Sequence, residues 1–322
     1  MPTRAWKEVL IRTWKEASSD NVGLIAAGVS YYAFLALVPI LGATALSYGL
    51  LADIQTVNAH IGKIVSLLPG DAGQLIAEQL VSVVETSSDK KGIGLLIALA
   101  IALFGARNAV GSAISALNVA YEEEEQRGFL KLNLLALAIT AAAVVGAALA
   151  MAGVSAMGFL HLALPGASPL AAALSIIVTY VLLGLVGATG AALLYRYGPS
   201  RDKPQWRWLS PGSILFGTVW VLITFGFGFY VRNFGDYGAT YGSLSAVIVL
   251  LTWMYLTAYA LIFGAELNCE LEHQTAHDTT AGPERPLGAR GAWAADHVAS
   301  DTTAGEERDQ SGPAADRPTP IR

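Results

Sequence analysis

The chain has 322 residues, of which 54% are hydrophobic and only 14% charged, with a formal net charge of −5. A water-exposed surface of this size needs nearer ~25% charged residues, which excludes a soluble globular protein. The strongly basic face of a nucleic-acid-binding protein is missing as well, and the single cysteine, Cys269, excludes an intrachain disulfide.

The N-terminus, MPTRAWKEVLIRTWKEASSDN, has no apolar run ahead of the first long span, so a cleavable signal peptide is not expected. Residues 4–17 predict a short amphipathic helix. Trp6, Leu10, Trp14 and Ala17 form one stripe, and Arg4, Lys7, Arg12 and Lys15 lie off it. That pattern suits a helix lying flat in a membrane interface, and equally one docked on the protein's own loops. Ser18, Ser19, Asp20 and Asn21 can cap the first span.

That span covers about 22–52, with Pro39 as a kink. Two amphipathic segments come next, carried by Ile54, Val57, Ile61, Ile64, Val65 and Leu68, and by Leu75, Ile76, Leu80, Val83 and Val84, around a turn at Pro69-Gly70-Asp71. They predict a helical hairpin over 53–91 at one membrane face. Further spans are expected near 92–121, 132–164, 169–197, 211–233 and 240–268, the fifth opening on Ser210-Pro211. Small residues at Ala138, Ala142, Gly146 and Ala150, and at Gly184, Ala188 and Ala192, form stripes on which helices can pack closely. Residues 122–125, four glutamates, read as a solvated linker, and the Gly-, Pro-, Ala- and Asp-rich stretch 279–322 as a disordered tail. The expected fold is therefore all-α: a polytopic membrane bundle of about six transmembrane helices, 21–272, preceded by an interfacial helix, 1–20. Loop Lys and Arg residues divide ten against four, which puts both termini in the cytoplasm and the hairpin outside.

No P-loop, GxGxxG, HExxH or GxSxG sequence is present. Nothing calls for a cofactor or a metal, although Cys269, His273 and His277 would share a helix face if that helix continued. Polar residues inside spans are more informative, because lipid penalises them. Arg107 lies ~22 Å along the second span at ~1.5 Å per residue. Tyr31 and Tyr32 reach nearly its level, Tyr180, Trp253 and Tyr255 fall within about a turn of it, and Asn108 adjoins it. A guanidinium with no carboxylate at its depth calls for an anion or a wet cavity; alternatively it snorkels or bonds free carbonyls. The candidate substrate-binding group is thus Arg107, Asn108, Tyr31, Tyr32 and Tyr255. A second polar group, Asn118, Arg196, Glu266 and Asn268, falls near the cytoplasmic ends of the spans, where Arg196 and Glu266 can pair as a latch.

Five stretches carry a resemblance. They are AAGVSYYAFLALVP, ARNAVGSAISALNVAYEEEEQRGF, LLYRYGP, WRWLSPGSILFG and YGSLSAVIVLLTWMYLTAYALIFGAELN. In this order they resemble the BrkB/YihY family of bacterial inner-membrane proteins, across most of 5–275. The resemblance implies a six-helix bundle in the inner membrane. Virulence-factor and ribonuclease names have been attached to that family, but this sequence has no metal cluster, basic groove or acid–base pair for nuclease chemistry. The expectation is a transporter or flippase for an anionic lipid or other amphiphile, with membrane lipids as partners and no nucleic acid. A structural or assembly protein of the envelope, with an envelope partner or a second copy, is the alternative. An enzyme ranks third.

Overall fold

The structure is a computed structural model that describes residues 3–51, 91–143, 145–146, 169–234 and 244–299. The helices are α1 (Thr3–Ser19), α2 (Val22–Leu51), α3 (Lys91–Ala120), α4 (Phe129–Ala143), α5 (Pro169–Tyr197), α6 (Trp206–Phe234), α7 (Leu244–His273) and the short α8 (Trp293–Asp296). Among the described residues there is no β-strand, only an isolated bridge between Pro204 and Thr280. The chain is an all-helical membrane bundle. α3, α5, α6 and α7 are long and apolar enough to cross a bilayer, and α1 with α2 forms a pair bent by 64° that counts as a fifth candidate. The hairpin expected over 53–91 and most of the third span lie outside the described residues. α6 begins at Trp206, a turn before the Ser210-Pro211 start signal, and takes Pro211 inside its first turns.

Neighbouring helices run in the order α3, α2, α7, α6, α5. Small residues set the closest approaches. A Cβ on Gly105 of α3 would lie 3.2 Å from Cα of Ala36 on α2, and one on Gly217 of α6 would lie 2.6 Å from the Gly184 carbonyl and 2.9 Å from Ala188 Cβ on α5. The stripe of Gly184 and Ala188 is thus where α6 crosses, since backbones in lipid associate by close van der Waals fit and not by the hydrophobic effect. α6 and α7 meet at Gly212 and Gly264, where a Cβ on Gly212 would lie 2.0 Å from the Gly264 carbonyl.

Burial is concentrated at one end. Leu117, Tyr121, Tyr195, Leu209, Ile262 and Ala265 are fully enclosed there with Val22 and Ala26. Toward the other end Ile97, Phe104, Ile176, Leu222 and Phe229 are exposed. Apolar side chains left outward on helices of this length suit a lipid environment.

α1 lies against the packed end. Its Val9 packs on Leu267 and Leu271 of α7, and Arg12 donates to Glu270 at 2.5 Å and to Gln274 at 2.6 Å. Trp6, Leu10, Ile11 and Trp14 face outward beside Lys7 and Lys15. Ala17 is buried with the opposite face, so the outward stripe turns away from it. The segment is thus docked on the protein's own α7, with a Trp-and-Lys face turned outward.

The tail expected to be disordered from 279 instead packs as far as residue 299. Thr279, Thr280, Ala292, Ala294 and Ala295 are buried. Arg290, also buried, donates to the carbonyls of Ala276, His277, Arg285 and Ala295. Trp293 sits between His273 and His297, each ring centroid 4.6 Å away. Low apolar content hid this segment because small alanines, with Ala294 in the core, and backbone carbonyls gathered by one arginine hold it.

Candidate functional site

α3 carries Arg107 thirteen residues before its end, ~20 Å down its axis from the packed end. The guanidinium is half-buried. Its Nε donates to Asn133 Oδ1 of α4 at 2.5 Å and its Nη1 to Asn108 Oδ1 at 2.7 Å. Asn133 is held in turn by its own amide donating to the Phe129 carbonyl at 2.6 Å. Both acceptors are neutral amides, and among the described residues no carboxylate pairs with Arg107. Among the described residues the positive charge is held by amide oxygens and not by a carboxylate.

The contact of Gly105 with Ala36 fixes the register of α3 on α2. Arg107 lies two residues from that point and Tyr32 four, both toward the packed end, so their levels differ by ~3 Å. Tyr31 is one residue further on. The two phenols touch edge to face at 5.7 Å and both are exposed. Tyr255 sits elsewhere: its hydroxyl lies 3.3 Å from where Gly23 would carry a Cβ, and Gly23 is nine residues, ~13 Å, above Tyr32. Tyr180 packs on Phe225, and Trp253 donates to Thr224 at 3.3 Å, so both belong to the α6 side. The structure therefore groups Arg107, Asn108 and Asn133, sets Tyr31 and Tyr32 at the same depth, and removes Tyr255. Asn133 was missed in the sequence because it lies in the first turns of an apolar stretch, where an asparagine reads as a helix-start residue.

At the packed end, Arg196 and Glu266 do not pair. Arg196 bonds the Pro204 carbonyl and lies 4.6 Å from the centre of the Trp206 ring. A guanidinium that finds an aromatic face at the start of α6 and a carbonyl just before it has no need to reach α7. Asn118 donates to Glu125 at 3.0 Å and accepts from the Ser200 amide at 2.8 Å. Asn268 accepts from the Gly212 amide at 2.8 Å, with Tyr121 and Leu209 near its amide group. The latch is made by Arg201 and Glu272, 2.7 Å apart with both side chains wholly enclosed, and Thr279 donates to the same carboxylate oxygen at 2.6 Å. Burial opposes the charge on Arg201, but the adjacent Glu272 charge and hydrogen bond outweigh it and hold the guanidinium protonated.

The glutamate run is not a free linker. Glu122 has φ 55° and closes α3, with its amide bonding the Val119 carbonyl and that of Glu123 the Asn118 carbonyl. This is the paired-bond helix ending that usually takes glycine. Glu123 accepts from the Trp293 amide at 2.7 Å. Glu125 is pulled down to about 2 by hydrogen bonding from Arg127. The Cys269, His273 and His277 arrangement does not form either, because α7 ends at His273 and Cys269 is buried.

Comparison with known proteins bears on the whole chain. A family model described as "Virulence factor BrkB" matches residues 13–288. A ribonuclease-like protein, YfkH, of Bacillus subtilis is 31% identical over 191 residues, covering 58% of this chain and 69% of the relative. A UPF0761 membrane protein of Rhodospirillum centenum is 28% identical over 282 residues, 84% of this chain but only 59% of the relative. Another from Alteromonas mediterranea is 26% identical over 270 residues, covering 80% and 85%. No solved structure matches. With a matching model across most of its length and membrane-protein relatives over the same region, the chain belongs to the BrkB family of membrane proteins.

Proposed function

We propose that this protein moves an anionic amphiphile, such as an anionic phospholipid or a lipid-linked glycan, across or within a bacterial inner membrane, with both termini in the cytoplasm. One observation carries this: the Arg107 guanidinium lies ~20 Å down an apolar helix and, among the described residues, is bonded only to two amide oxygens. Neutral acceptors hold the side chain in place while leaving its charge for a mobile anion. Tyr31 and Tyr32 at the same depth supply hydroxyl donors on an exposed face. Nothing in the sequence resembles a nucleotide site, so uphill movement draws on an ion gradient or a partner protein.

A specific observation favours a second function, an envelope assembly protein. The bond from Arg107 to Asn133 ties α3 to α4, as a structural strut would. Paired variants separate the two. If Arg107 binds an anion, Arg107→Lys weakens complementation of a deletion strain and Arg107→Ala abolishes it, while both keep the wild-type melting temperature. A lysine offers a point charge where the guanidinium offers a fork. A destabilised Arg107→Ala that complements fully would remove the anion site and leave the strut.

A further inference from the structure

We propose that Glu16, Asp20, Glu122 and Glu266 bind a hard divalent cation that clamps the elbow between α1 and α2 onto the α3–α4 loop and α7. Glu16 comes from the last turn of α1 and Asp20 from the elbow itself, beside Asn21 at φ 55°. Glu122 caps α3. One carboxylate oxygen from each of these three lies within 4.8 Å of the others. Glu266 of α7 closes the floor. It is only 3% exposed, its Oε1 is enclosed without a hydrogen-bond partner among the described residues, and the charges of Asp20, Glu16 and Glu122 act on its carboxyl. Asp20 lies within hydrogen-bonding reach of it.

Four carboxylates from four parts of the fold thus converge, and nearby basic groups are committed elsewhere. Arg12 bonds Glu270 and Gln274, and His273 Nδ1 lies 3.4 Å from Glu270. Among the described residues none of the four is in an ion pair. Burial, and then the neighbouring acids, push the Glu122 carboxyl above its ordinary range. Burial pushes Asp20 the same way, which is the cost a counter-ion would remove. An all-carboxylate donor set selects magnesium, calcium or manganese over zinc or copper. Metal–oxygen distances of ~2.0–2.6 Å span oxygens up to ~5 Å apart, which the outer three meet. Glu122 also occupies a left-handed position that disfavours non-glycine residues.

The site stands on its own geometry, independent of any role for Arg107. The test uses the full chain, purified in detergent, stripped with EDTA and titrated with Mn²⁺ near neutral pH. Bound Mn²⁺ is counted by electron paramagnetic resonance and melting is followed in parallel. One saturable Mn²⁺ per chain is expected, displaced by Mg²⁺ or Ca²⁺ and accompanied by a rise in melting temperature. Glu266→Gln and Asp20→Asn should each lose about tenfold or more in Mn²⁺ affinity, while melting no lower than the metal-free wild type. Glu122→Gln, at an exposed position where packing is not at stake, should weaken binding as well. Binding that never saturates, or that is unchanged in all three variants, overturns the proposal. So does a wild type that ignores Mn²⁺ yet loses stability as pH rises while Glu266→Gln does not, since a proton then bridges Asp20 and Glu266.

Discussion

Glu272→Gln is the most demanding test of how the packed end is held. The wild-type pair with Arg201 has an N···O distance of 2.7 Å and no solvent exposure on either side chain. Two charges ~4 Å apart attract by about 4 kcal/mol at an effective dielectric of 20, and desolvation opposes that gain. Repayment is incomplete here, because Arg201 Nη1 and Glu272 Oε1 are both buried without a partner among the described residues. The pair is therefore worth little against an apolar pair of equal volume, whereas removing one member leaves an enclosed uncompensated charge. Either Glu272→Gln or Arg201→Met should cost roughly 3–5 kcal/mol. The double variant Arg201→Met with Glu272→Gln should recover most of one single loss. Reversible unfolding by SDS titration in mixed micelles, applied to all four proteins, gives the double-mutant cycle. Single losses under about 1 kcal/mol, the range of an exposed pair, or strictly additive losses, would refute the enclosure on which the estimate rests.

The same packing leads to three further outcomes. Ending the chain at 278 should lower the melting temperature, because it deletes Thr279, Arg290 and Trp293, which pack on the end of α7 and its loop; an unchanged melting temperature would show that this segment contributes nothing. Gly212→Ala should prevent stable folding in detergent, since its Cβ would lie 2.0 Å from the Gly264 carbonyl and 2.6 Å from the Asn268 amide group; a variant that elutes and melts like wild type would contradict the contact. The carboxyl of Glu125 is depressed to about 2 from 4.5, so its contribution is complete above the unfolded value and disappears as pH falls toward 2. Glu125→Gln should flatten the stability profile in that window, and an unaltered profile would mean that Arg127 does not hold it.

The long apolar runs made the spans legible. α2, α3, α5 and α7 lie within a few residues of where hydropathy puts them, because lipid demands length and apolarity from each helix separately. Register along antiparallel helices was legible too, which is why counting residues brought Arg107 and Tyr32 to one depth. For α7 it was not. Counting puts Tyr255 within about a turn of Arg107, but its hydroxyl lies beside Gly23, ~13 Å nearer the packed end than Tyr32. Pairing at the packed end was equally hidden. Arg196, in the last turn of α5, lies five residues before Arg201, and Glu266 and Glu272 share one helix, so spacing offers several matches. Trp206 captures Arg196, and this leaves Arg201 for Glu272. The carboxylate group of Glu16, Asp20, Glu122 and Glu266 draws on four parts of the fold, and no sequence window contains it.

Lipid translocation in proteoliposomes tests the role of Arg107 most directly. Full-length protein is reconstituted with a trace of fluorescent anionic phospholipid, or of a zwitterionic analogue, and loss of outer-leaflet fluorescence to an impermeant reductant is timed. If Arg107 receives the anionic headgroup, wild type should move the anionic lipid well above the protein-free rate and ahead of the zwitterionic one. Arg107→Ala, reconstituted at equal density and with an unchanged melting temperature, should fall to the protein-free rate. Equal rates for wild type and Arg107→Ala, or no movement above protein-free vesicles, would contradict it.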